Sequence, residues 1–135
     1  MKKINNYFEA EQIGESILHI RLLPIIPSIK ENKELLTMMS TLIESQPIGQ
    51  KGVFIFNCES LKLIGSEIRI QSGQWAKENN LLFRQSLHAI LFYNAGLILE
   101  FVIKGVFLFS KPPVPVLTLK NKDESFLKAN ELLKG

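Results

Sequence analysis

Two short stretches of the chain, Val53-Phe54-Ile55-Phe56 and Ala89-Ile90-Leu91-Phe92-Tyr93, are apolar at consecutive positions rather than at alternate ones. A strand with one wet face alternates, so continuous apolar runs of this length mark strands that must be covered on both faces. Far more chain separates them than a hairpin needs, and that chain carries helical periodicity, which is the pattern of parallel strands joined by crossover helices. The chain is therefore expected to be α/β. With 135 residues, 46% of them hydrophobic and 21% charged, it suits a single domain over residues 1–135 with one core, and is far from a disordered composition.

The remaining elements follow from local signals. Tyr7 to Ile13 mixes apolar residues with Glu9, Glu11 and Gln12, and Gly14-Glu15-Ser16 leads into the more apolar Ile17 to Leu23, which predicts a β-hairpin with its polar strand at a sheet edge. Pro24 and Pro27 end the second strand. Ser28 and Glu31 have the spacing of a capping box, and Leu35, Met38, Met39, Leu42 and Ile43 then form one helical face. After Val53–Phe56, Ser66 is placed to cap a helix through Ile68 and Trp75 that ends near Asn79-Asn80, with Gly73 weakening it. Leu87 to Tyr93 is a strand, and Asn94 is expected to cap a helix from about Ala95 to Phe109. Ser110-Lys111-Pro112-Pro113 stops that helix, Val114 to Thr118 is a last strand, and Asn121 with Glu124 caps a final helix whose Phe126, Ala129, Leu132 and Leu133 face inward. The expected order is β-β-α-β-α-β-α-β-α.

The span from Ala89 to Phe109 is long enough to cross a bilayer, but Glu100 and Lys104 fall inside it. Each would cost roughly 2.5–3.5 kcal/mol at the membrane centre, and Asn94-Ala95-Gly96 interrupts the run, so strand, turn and helix explain it better and no integral membrane segment is expected. Sixteen Lys and Arg against thirteen Asp and Glu leave a formal charge of +3, spread along the chain. No basic stripe concentrates charge as phosphate neutralisation requires, which argues against a nucleic-acid partner. A single cysteine, Cys58, and no signal-like leader after Met1-Lys2-Lys3 point to the cytoplasm.

From Leu87 onward the pattern becomes specific: the strand Ala89-Ile90-Leu91-Phe92-Tyr93, then Lys111-Pro112-Pro113-Val114-Pro115-Val116, then Asn121-Lys122-Asp123-Glu124 with Ala129 and Leu132-Leu133 behind it. This resembles the bacterial STAS/SpoIIAA-like family of anti-sigma-factor antagonists, strongly over the last third and by order of elements elsewhere. The resemblance implies a right-handed β-α superhelix, with a mostly parallel five-stranded sheet, an antiparallel first strand and about four helices, a winding shared with CRAL-TRIO lipid-transfer domains. It also implies regulation through protein binding. In phosphorylated members a strand ends in Asp and an Asp-Ser pair opens the next helix; the corresponding positions here are Asn57 and Gly65-Ser66. Ser66 is thus a candidate phosphoacceptor by resemblance, and by local reading a helix N-cap.

No set of residues can be given acid, base and nucleophile roles, so the chain is expected not to be an enzyme. The glycines form no phosphate-cradling motif, and His19 and His88 lack partners at metal-ligand spacing; no cofactor or metal is expected. Cys58 follows a buried strand, and Glu59 beside it would raise its pKa, which favours a structural thiol. The helix after Asn94 has too few polar residues for an ordinary exposed face, so Leu97, Phe101, Phe107 and Phe109 are candidates for an interaction or apolar-ligand surface. If most helices gather on one sheet face, the other face needs a partner, and self-association as a two-fold dimer is the simplest. The leading expectation is a non-catalytic protein-interaction module; the alternative is a small carrier of an apolar or lipid ligand.

Overall fold

The computed structural model describes residues 1–62, 64–96, 102–104, 106 and 111–135. Six strands form one sheet in sequential order: β1 (Lys2–Lys3), β2 (Phe8–Ile13), β3 (Ile17–Leu22), β4 (Gly52–Asn57), β5 (Leu87–Tyr93) and β6 (Val116–Leu119). β2 pairs antiparallel with β1 and β3, and β3 through β6 are parallel. The mixed α/β architecture expected from the apolar runs is present. The sheet carries one strand more than the expected five, because Lys2 and Lys3 pair with Ala10 and Glu9; two lysines give no periodicity from which a strand can be read.

The β2–β3 hairpin turns at Gly14, whose φ of 62° lies in the region that favours glycine. Helix α1 (Ile29–Ser45) begins where the sequence places it: Ser28 Oγ accepts from the Glu31 N–H at 3.1 Å, and the Glu31 carboxylate accepts from the Ser28 N–H at 2.9 Å. Helix α2 (Ser66–Glu78) is followed after Asn79 by a separate short helix, α3 (Asn80–Ser86), where a stop was expected. Its Phe83 is fully buried, so tertiary burial carries the chain into a second helix past the two asparagines. The last strand starts two residues later than expected, since Pro115 has no N–H to give to the sheet and offers only its carbonyl, which accepts from the Ile90 N–H at 3.0 Å.

Asn94 does not cap a helix at Ala95. It adopts φ 54°, residues 95 and 96 are not helical, and the described helical residues of that crossover are 102–104 and 106. Helix α4 (Lys122–Lys134) is capped by Asn121 Oδ1, which accepts from the Glu124 N–H at 2.9 Å.

The strands divide the core by alternation. Leu18, Ile20 and Leu22 of β3, Phe54 and Phe56 of β4, and Ile90 and Phe92 of β5 face α1, α2 and α3. Ile17, Val53, Ile55, Ala89, Leu91 and Tyr93 face the opposite way, under Phe126, Ala129, Leu132 and Leu133 of α4. The second face is therefore covered by the chain's own last helix. The uncovered face that motivated a two-fold dimer does not exist across the centre of the sheet.

Candidate functional site

Beneath α1 and α2, at the C-terminal ends of the parallel strands, the larger core layer leaves a cavity of about 120 Å³. Its floor includes Phe56 and Phe92, whose rings stack with centroids 5.0 Å apart, and its roof includes Leu36, Met39, Trp75 and Val106. The C-terminal strand ends are where ligands gather in open α/β sheets. Tyr7 lines it too: it precedes β2, its carbonyl accepts from the Leu23 N–H at 2.7 Å, and the residue is 3% exposed. Burial pushes the Tyr7 hydroxyl pKa well above its ordinary value, with Cys58 adding to the effect, so the phenol keeps its proton.

Polar bonds set the width of the cavity by tying α1 to α2. Asn32 Nδ2 donates to Gln71 Oε1 and to Ser72 Oγ, both at 3.0 Å, Gln71 Nε2 donates to the Ile29 carbonyl at 3.1 Å, and Trp75 Nε1 donates to Ser40 Oγ at 2.9 Å. Asn32 is buried although α1 could have turned it to solvent. Its signal in the sequence is position: it lies three residues before Leu35 and seven before Met39, on the apolar stripe. Tyr7 has no such signal, because a tyrosine heading an amphipathic strand reads only as packing.

On the other sheet face Glu11, His19 and Tyr93 form a chain of hydrogen bonds. His19 Nδ1 lies 3.0 Å from Glu11 Oε1 and Nε2 lies 2.7 Å from the Tyr93 hydroxyl. An ionised carboxylate only accepts, so Nδ1 carries the proton and Nε2 accepts from Tyr93. Burial lowers the His19 pKa, against the opposing pull of Glu11, while the hydrogen bond from His19 lowers that of Glu11. The Phe126 ring of α4 stands edge-on to the imidazole at 5.1 Å. His19 and Tyr93 are 3% and 2% exposed, so the chain closes the α4 interface and its nitrogens are not presented to solvent. Register across the Gly14 hairpin pairs Glu11 with His19.

The sequence-derived candidates lie elsewhere. Ser66 is the first residue of α2 and exposed; the N-cap is Gly65, which offers no side-chain bond, so Ser66 does not cap the helix. The helix starts one residue earlier in register than the Ser signal suggests. Asn57 ends β4, and its Oδ1 accepts from the Glu59 N–H at 3.1 Å, forming a turn rather than presenting a free polar group. Cys58 is buried, and burial pushes its thiol pKa up to about 12, which disfavours the thiolate. Half-buried His88 has its pKa lowered by burial and by Lys51. Leu97, Phe101, Phe107 and Phe109 lie outside the described residues. Among the described residues no three His, Cys, Asp or Glu side chains group to hold a metal ion, and no helix is long and apolar enough to cross a membrane.

The sequential sheet, with an antiparallel edge and parallel strands continuing from it, agrees with the arrangement that the resemblance implied. Among solved structures the chain is similar to the anti-sigma factor antagonist SpoIIAA in its unphosphorylated form: TM-score 0.61, 13% sequence identity, covering 92% of this chain and 96% of that one. At that identity the likeness establishes the fold. No protein-family model matches the sequence, and no curated protein does.

Proposed function

We propose that this chain is a cytoplasmic, non-catalytic regulatory module that works by binding a protein partner. The observation that carries this reading is the SpoIIAA-type fold over nearly the whole chain, since the protein it is similar to is an anti-sigma factor antagonist. The surface proposed for the partner is the end of the molecule where α1 and α2 begin. Ile26, Ile29 and Ile70 are 70%, 50% and 54% exposed, and the Gln71–Ile29 bond brings the two helices together there. Aliphatic side chains this exposed contribute nothing to the core and supply apolar area to an interface.

Ser66 lies one turn before Ile70 on the same helix, and is proposed as the phosphoacceptor of this surface. A phosphate there would meet the free N–H groups of the first turn, although Glu67 adds an opposing charge. A second copy of the chain is one partner the surface would admit.

The experiment is affinity capture from the native host with the wild-type chain and with Ile70→Asp, each checked for an unchanged circular-dichroism melt. A partner retained by the first and lost by the second is expected; equal capture by both removes this surface. Light scattering after size exclusion identifies a homodimer, and a monomer alone at micromolar concentration removes it. Absence of a phosphate-mass adduct on Ser66 in protein isolated from that host under several growth conditions removes the phosphoacceptor assignment.

A further inference from the structure

Two residues that line the cavity under α1 and α2 carry a polar atom with no partner inside the protein. Among the described residues nothing accepts from or donates to the Tyr7 hydroxyl, and nothing donates to Asn32 Oδ1, whose amide nitrogen is engaged with Gln71 and Ser72. Both side chains line the cavity, and both residues are 3% exposed. No fully enclosed side-chain nitrogen or oxygen among the described residues lacks a partner, so these two atoms must reach open space. Asn5 links the backbone next to both residues: its Oδ1 accepts from the Tyr7 N–H at 2.7 Å while its Nδ2 donates to the Glu31 carbonyl at 3.2 Å, next to Asn32. An apolar pocket with a few polar groups at hand is the usual form of a small-molecule site.

We infer that this cavity binds a small apolar molecule carrying one hydroxyl, of the size and class of a simple phenol or short-chain alcohol. The hydroxyl matches the two protein groups: its oxygen accepts from Tyr7 and its proton goes to Asn32 Oδ1. The rest of the ligand lies against Phe56, Phe92 and Met39. Size sets the class. An apolar protein cavity of about 150 Å³ takes up benzene, so about 120 Å³ suits one ring or a short chain. This function is independent of the protein-binding surface, which lies outside the cavity.

The test is titration of the ¹⁵N-labelled chain with phenol and, separately, with benzene, followed by amide chemical shifts. Saturable shifts at residues around the cavity are expected, with phenol bound more tightly than benzene. Removing one hydrogen bond in Tyr7→Phe should weaken phenol roughly two- to tenfold and leave benzene unchanged. Absence of saturable shifts with either probe overturns the site, and equal affinities for the two probes in the wild type overturn the polar assignment. That second comparison needs no variant, so it stands even if Tyr7→Phe does not fold. Unchanged phenol affinity in a folded Tyr7→Phe also overturns it.

Discussion

At the scale of single residues the consequential group is His19. Its ring is neutral because burial opposes the charge more strongly than Glu11 supports it, so its pKa in the folded chain lies below the ordinary value near 6.5. Between that lowered value and 6.5 the unfolded chain binds the proton and the folded chain does not; stability therefore rises with pH through this window and is lost as pH falls through it. Glu11, also lowered, acts in the same direction further into acid. Replacing the ring in His19→Gln should flatten the part of the profile just below pH 6.5. At neutral pH the variant should lose no more than about 1 kcal/mol, because the Gln amide can accept from the Tyr93 hydroxyl and donate to Glu11 as the neutral imidazole does. Urea unfolding of both proteins across pH 5 to 8 checks this, with His88→Gln as the control for the other histidine whose pKa is lowered. A parallel pair of profiles would mean that His19 does not titrate with folding.

At the scale of elements, α2 is the helix whose sequence understates it. Gly73 sits in its interior, where alanine ordinarily improves a helix by about 1 kcal/mol. Here a Cβ at position 73 would collide with the backbone carbonyl of Val106, so the glycine lets α2 approach the β5–β6 crossover more closely than any side chain permits. Gly73→Ala should therefore destabilise the protein, by about 1–3 kcal/mol, despite its better propensity. Thermal melts monitored at 222 nm decide the sign. The caps of α1 and α4 were legible because Ser28–Glu31 and Asn121–Glu124 satisfy local N–H groups within four residues. The starts of α2 and of the following crossover were not, since Gly65 offers no side-chain bond and Asn94 takes a left-handed conformation instead of capping.

At the scale of the whole molecule, the decisive arrangement is the division of helices between the two sheet faces. Among the described residues α4 closes the second face, and Ala129, fully buried in the same apolar cluster as Ile55 and Leu91, allows the close contact. Ala129→Asp would bury a carboxylate there without a partner and should cost about 3 kcal/mol or more. If α4 closes the face as described, the variant will bind a hydrophobic dye and associate at concentrations where the wild type does not; an unchanged melt and elution profile would show that the face is covered in another way.

The sequence by itself determined the architecture, because the continuous apolar runs at Val53–Phe56 and Ala89–Tyr93 admit only strands covered on both sides, and helical stripes between them supply the cover. It also contained the caps of α1 and α4, the hairpin and the inward face of α4, all of which depend on neighbours a few residues apart. The tertiary structure alone decided which helix covers which face, and so removed the simplest reason for a dimer. It also brought Tyr7 and Asn32, from opposite sides of the β2–β3 hairpin, to the lining of one cavity. Local chemistry has a range of about one turn or one strand pair; a site assembled from a strand entrance and a helix stripe exists only once the chain has closed on itself.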